Sequence, residues 1–420
     1  LVTNQHLNRN KIKQASHTDY LKNIHALSLL IEELLIGYQC IINNEILNNN
    51  KLKPKTTFLL AMNRIAEFIS LSVFYANAYY FSPPKASINK LHQLYLYCEY
   101  YQVLDIEVET SESRPSTFNQ IYITLMLTCI ANSSRLTEHD ILKLPELMHR
   151  FANKIEVRAA KENQQDLYHK PEAVGCFTLS MSTDNPPKSL FETSSRSGTV
   201  NQLRTFDTHA MLVEIESQFQ QKNVPDEIQL LKKIIPQFNA SYTRSFERKP
   251  CHDNPKVQLL NGIPAIHTYL TNQTHPDSSF CTLRNQSKGG AMINSDILDS
   301  YYLEIGSIVG IINADNSHQL AVVRWITTNN HGASHIGLEF LPEPTPVQMI
   351  VGSKTSSFVG LLLPIHSGDK SSNTIIVDND TYLPLQTISV TENNNNYKID
   401  IGSSLDTSYN CEQFSYKIKR

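Results

Sequence analysis

The sequence predicts an α+β protein with an all-α N-terminal region, a small antiparallel β-barrel and a C-terminal β extension. Three observations lead there. Apolar residues recur at helical spacing up to about residue 155. After Ala240 the pattern changes to period two with polar turn punctuation. The composition is globular, 40% hydrophobic and 18% charged over 420 residues, enough for two to four domains.

The helical region spans 1–155. In "YLKNIHALSLLIEELLIGYQCIINNEI", Leu21, Ile24, Leu27, Leu30, Ile31, Leu34 and Leu35 share a face, and "NNNKLKPK" breaks that helix. The run from Phe58 to Phe81 is the most apolar, but Asn63, Arg64 and Glu67 interrupt it. A membrane span rarely carries such charges, so it reads as a buried core helix. "SINKLHQLYLYCEYYQVL", "TFNQIYITLMLTCIANSS" and "TEHDILKLPELMHRFANKI" are further helices, the last with Thr137 three residues before Asp140 as a loose capping box. Tyr79, Tyr80, Tyr95, Tyr97, Tyr100 and Tyr101 read as packing between these helices.

Residues 156–205 read as one strand, "CFTLSMST", followed by a polar linker. Residues 206–239 read as a helical connector of two short amphipathic helices. The barrel occupies 240–350, with strands at "KVQLLNG", "FCTLRNQS", "SIVGIIN", "QLAVVRWITT" and "HIGLEFL". The β extension, 351–420, holds "FVGLLLPI", "NTIIVD", "YKIDIG" and "EQFSYKIK", with Asn393 to Asn396 as a hairpin-like loop.

Composition narrows the function. A net charge of −3 and a pI of about 6.6 leave no global basic surplus, so neither DNA nor RNA is the expected partner. Seven dispersed cysteines without a CxxC fit reduced thiols in a cytoplasm. His252, His267 and His275 match no zinc spacing, and no metal is expected. There is no GxSxG, HExxH, DFG or complete Walker A, and the expectation is a non-enzyme. The chain begins at Leu1 with no signal-peptide pattern, which suggests a trimmed N-terminus.

Two short elements carry chemistry. "RSFER" places Arg244 and Arg248 four residues apart just before the first barrel strand. "NQSKGG" places Asn285, Ser287 and Gly290 in an N-x-S-x-x-G array, and "VVRWI" and "IGLEFL" follow. In that order they resemble the PilZ domain family, the β-barrel module that binds cyclic di-GMP. The resemblance covers about residues 240–350, with Gly337 and Phe340 matching the late barrel strand. It implies a cyclic di-GMP site made of Arg244, Arg248, Asn285, Ser287 and Gly290, with no other cofactor. One departure stands out: Arg248 and Asn285 lie 37 positions apart. The intervening segment is either a longer strand with an extended loop, or a sign that "RSFER" is not the arm.

The residue chemistry agrees with that ligand. An arginine fork grips phosphate oxygens or the guanine O6/N7 edge, and its face stacks on a base. Asn285 offers an amide oxygen to guanine N–H donors, Ser287 a hydroxyl, and Gly290 with Gly289 a backbone free of Cβ atoms. Lys288 reads as a solvated side chain, Trp325 as barrel core and Arg324 as facing out. The resemblance implies a bacterial cytoplasmic effector that changes conformation on binding and signals to motility, pilus or surface machinery. The alternative is a structural adaptor with a degenerate PilZ-like domain that binds a protein partner through its helical region.

Overall fold

The computed structural model describes residues 17–48, 56–82, 85–110, 113–160, 174–190, 202–220, 225–239, 246–274, 279–295, 303–329, 333–350, 357–364, 373–378, 387–392, 395–407 and 411–419. Arg244 and His275 lie outside the described residues. The chain divides into two compact units, Leu1–Thr243 and Arg244–Arg420.

In the first unit five helices are described up to residue 151: α1 (His17–Asn48), α2 (Thr56–Ala78), α3 (Lys85–Tyr100), α4 (Phe118–Ile130) and α5 (Glu138–Phe151). Capping sets two starts. Thr117 accepts from the Gln120 N–H, and Thr137 from the Asp140 N–H, each with the reciprocal side-chain bond. α2 is long and apolar enough to cross a membrane by length and composition. Its Ala66, Ile69 and Val73 are fully buried in the protein core, and its buried Asn63 donates to the Ser116 carbonyl. A hairpin, β1 (Glu107–Thr110) with β2 (Ser113–Thr117), interrupts the helical region. Of the tyrosine stripe, Tyr95 is buried and Tyr79, Tyr80, Tyr97 and Tyr101 pack partly buried on the core, but Tyr100 is 79% exposed.

The segment read as one strand and a linker holds more structure. β3 (Glu156–Ala159), β4 (Cys176–Ser180), β5 (Lys188–Ser189) and β6 (Leu203–Asp207) form a sheet in the order β3-β6-β4-β5. Helices α6 (His209–Gln220) and α7 (Pro225–Phe238) follow. Phe177, Leu179 and Phe206 of the sheet, Met211 and Ile215 of α6, and Leu230, Ile234 and Phe238 of α7 join the helical core in one cluster. The supposed linker and connector therefore belong to the body of the first unit. Residues 191–201, the middle of that linker, lie outside the described residues.

This core holds a fully buried histidine. His92 Nδ1 lies 2.9 Å from the Tyr122 hydroxyl, and Nε2 lies 3.5 Å from the Asn185 carbonyl. Burial lowers its pKa from 6.5 to about 4, against the opposing pull of the Asn185 carbonyl and Asp184. Between those pH values the unfolded chain binds a proton that the native imidazole does not. Stability is therefore full above pH 6.5 and falls as pH drops through that window, by up to about 3 kcal/mol. Urea unfolding followed by helical circular dichroism should show that fall in the wild type and a flatter profile in His92→Gln. Parallel profiles would contradict the assignment.

The second unit contains two six-stranded barrels. The first comprises β8 (Lys256–Asn261), β9 (Ser279–Ser287), β10 (Gly290–Ser295), β11 (Ile308–Ile312), β12 (His318–Thr328) and β13 (Ser334–Phe340). Its strands run β10-β13-β12-β11-β8-β9, and β9 pairs back with β10 to close it. Leu283, Ala291, Ile293, Val309, Val323, Ile336 and Leu338 are buried inward-facing residues. A short strand, β7 (Lys249–Pro250), pairs with the end of β9 on the edge away from β10.

The segment between Arg248 and Asn285 is not merely strand and loop. It holds β7, β8 and a helix, α8 (Ile263–Asn272), with Pro264 in its first turn and Gln273 capping it in the left-handed region. Ile263, Ile266 and Tyr269 of α8 pack between the first barrel and a second one. The second closes in the order β14-β15-β16-β19-β18-β17. Its strands are β14 (Thr345–Ile350), β15 (Ser357–Leu363), β16 (Thr374–Asp378), β17 (Thr387–Glu392), β18 (Asn395–Thr407) and β19 (Cys411–Lys419). Its core centres on Val347, Met349, Ile375, Val390 and Ile399. The expected β extension is thus a barrel of its own. The hairpin expected at the asparagine run has Glu392 opposite Asn395, and residues 393–394 lie outside the described ones.

Candidate functional site

β9 and β10 form a hairpin across "NQSKGG", with Ser287 opposite Gly290 and Lys288–Gly289 at the turn. The Ser287 hydroxyl donates to the Gly290 carbonyl at 3.2 Å. Neither glycine lies in the left-handed region. Space, not φ, selects them. A Cβ on Gly290 would sit 2.1 Å from the Leu338 carbonyl of β13, and one on Gly289 would sit 2.6 Å from the Phe246 ring. What approaches the backbone at these two positions is the neighbouring strand and an aromatic side chain of the arm. The Gly289 carbonyl also accepts from the Phe340 N–H at 3.0 Å, which joins the two motifs.

β7 closes the 37-position gap. Lys249 lies opposite Gln286 and Pro250 opposite Asn285. Continued by one residue, that antiparallel register sets half-buried Arg248 opposite Ser287. The structure therefore brings the arm that carries Arg248 beside the strand of Asn285 and Ser287 despite the distance in sequence. Arg244 falls outside the described residues. Lys288 is exposed at the turn.

Across the outer barrel face the ladder sets Asn285 opposite Met292, Met292 opposite Gly337, and Gly337 opposite Trp325. Directly paired residues share a face. Asn285, Met292 and Trp325 are all half-buried there. Trp325 thus departs from the expected core position. The register shifts between Val323 and Trp325, a bulge that leaves Arg324 without a partner on β13. That break in alternation keeps both Arg324 and Trp325 on the outside. The indole lies over Gly337, where an added Cβ would overlap the ring. Arg324 is ion-paired with Glu339 at 2.5 Å.

The electrostatic gap in the site is Asn285. Among the described residues its amide nitrogen has only the Met292 sulfur, at 3.8 Å, and its buried amide oxygen has no hydrogen-bond partner. A buried acceptor left unmet costs about 1–3 kcal/mol, which a ligand donor would recover. Sequence reading did not find Phe246, Met292 or Trp325 as part of this surface. The only available signal was their nearness to the motifs. His267, one of the three histidines without zinc spacing, is a buried α8 residue whose pKa is lowered by burial.

Comparison with known proteins gives one family match. Residues 3–162 match a family described as "Cyclic-di-GMP receptor FimW, N-terminal domain". That match covers the helical region, up to just past α5 and β3. No curated protein matches. Among solved structures, one described as "Structure of K. pneumonia MrkH-c-di-GMP complex" is 6% identical, covering 42% of this chain and 89% of that one. Its TM-score of 0.17 establishes no common fold.

Proposed function

We propose, starting from a helical region that matches the N-terminal domain of a cyclic di-GMP receptor, that this chain binds cyclic di-GMP on the outer face of its first barrel. One observation carries the reading: the buried, unmatched Asn285 amide oxygen lies on the strand that β7 pairs with to bring Arg248 alongside. Guanine presents ring and exocyclic N–H donors that fit that oxygen, and an arginine fork fits its O6/N7 edge or a phosphate. Arg244, Arg248, Asn285, Ser287 and Gly290 make the site, and Met292 with Trp325 gives a base an apolar bed. The two glycines hold the hairpin in the shape that presents it.

In this reading the protein is a cytoplasmic effector, not an enzyme, with cyclic di-GMP as its ligand and no metal. Binding orders the arm around Arg248, and the changed arm signals to motility, pilus or surface machinery. A protein partner would meet the helical region, where Leu29, Leu30, Leu34 and Ile36 of α1 are exposed.

Titration calorimetry tests the ligand. Cyclic di-GMP should bind saturably, with GMP and cyclic AMP failing to compete. No heat and no competition at high micromolar ligand would remove the receptor reading. Hydrogen exchange tests the switch: backbone exchange at 246–250 should slow at saturating ligand, and unchanged exchange there would leave a receptor without this response.

A further inference from the structure

A second bulge lies beside the motif. Met292 pairs with Asn285 but Ile293 pairs with Leu283, so Arg284 has no partner on β10. The extra residue breaks the alternation of β9, and Arg284 turns to the same outer face as Asn285. Its guanidinium is held on two sides. Nη1 donates to Asn254 Oδ1 at 2.8 Å, in the turn after β7. With the Asn294 amide oriented so that each atom meets a complementary group, its oxygen accepts from Arg284 Nε at 2.7 Å and Nη2 at 3.0 Å, and its nitrogen donates to His335 Nδ1 at 2.6 Å. Asn294 is buried, so this support is fixed.

The consequence is an exposed cation held in place by neutral groups. Among the described residues no carboxylate reaches the Arg284 guanidinium. Those bonds use three of its N–H groups and leave one on each terminal nitrogen to donate to an anionic oxygen. Arg324, the other bulge arginine on this face, is neutralised by Glu339.

We propose that Arg284 is a third arginine of the ligand site and takes one of the two phosphodiester groups of the dinucleotide. This rests on the receptor reading above. The bulge supplies the position, and Asn254 and Asn294 remove in advance most of the rotamer freedom that an arginine loses on binding. Asn294 and His335 are positioning residues, since they act through the guanidinium.

The test is titration of the full chain with cyclic di-GMP at low and high salt, with thermal unfolding as a check on folding. Arg284→Gln should bind about 10- to 100-fold more weakly while remaining folded. Its affinity should also fall less between the two salt conditions than the wild type's, because one phosphate–cation contact is gone. Arg284→Lys should keep the salt dependence but lose part of the affinity, and Asn254→Ala should lose less than Arg284→Gln. If Arg284→Gln binds like the wild type while Arg248→Ala does not, this inference falls and the receptor stands. If Arg284→Gln and Asn254→Ala lose affinity equally with unchanged salt dependence, Arg284 only holds the turn and the inference again falls. A wild-type protein that gives no heat removes the receptor reading, and this one with it.

Discussion

Arg248→Ala weakens cyclic di-GMP binding by about 2–5 kcal/mol, the expected loss when one partner of a desolvated, hydrogen-bonded charge contact is removed. The register of β7 on β9 is the reason to expect an effect of that size. It sets Arg248 next to the Lys249–Gln286 pair and two positions before Pro250, which pairs with Asn285. The arm therefore need not search for the ligand. Ser287→Ala is the internal control. Its hydroxyl already donates to the Gly290 carbonyl, so a neutral contact worth about 0.5–1.5 kcal/mol is all it can add. Calorimetry on the two variants decides the matter. Equal and negligible losses would place the ligand elsewhere on the protein.

Arg204→Ala is the change expected to damage the first unit most. Arg204 lies on β6 with a side chain only 8% exposed, and its Nε and Nη2 donate to Glu99 of α3 at 3.1 and 2.5 Å. Its Nη1 also donates to the Leu203 carbonyl at 3.0 Å. Removing it leaves the Glu99 carboxylate facing an interior without its counter-ion. Breaking a buried pair costs about 3–5 kcal/mol, and Glu99, one-third exposed, regains some water, so the low end is expected. Chemical unfolding followed by helical circular dichroism measures it. The paired change Glu99→Leu with Arg204→Leu should recover most of the loss, since two apolar side chains leave no buried charge. A loss below about 0.5 kcal/mol for Arg204→Ala would show the pair to be incidental. The result bears on architecture as well, because Glu99 lies within the 3–162 family match and Arg204 lies beyond it.

The helices of the first unit were legible in the sequence because their signals are local. Apolar spacing and the Thr137–Asp140 cap are written within a few residues of each other. The four-stranded sheet was not legible. β3 and β5 are only four and two residues long, and a strand that short carries almost no periodicity. Only burial of Phe177 and Phe206 against the helices shows that 156–239 belongs to this core.

The same division runs through the site. The sequence by itself determined the residue types, "RSFER" and "NQSKGG", and hence the chemistry of a guanine- and phosphate-binding surface. Tertiary structure decided which of those residues meet. β8 and α8 lie between Arg248 and Asn285, 37 positions apart in sequence, and the pairing of β7 with β9 brings the arm back beside the motif. The bulges at Arg284 and Arg324 decided that Asn285 and Trp325 face outward, against the alternation that their strands spell. The physical reason is that an antiparallel register is a property of two strands at once. One extra residue on either strand reverses which face every later side chain takes, and neither strand's own sequence records the count on its partner.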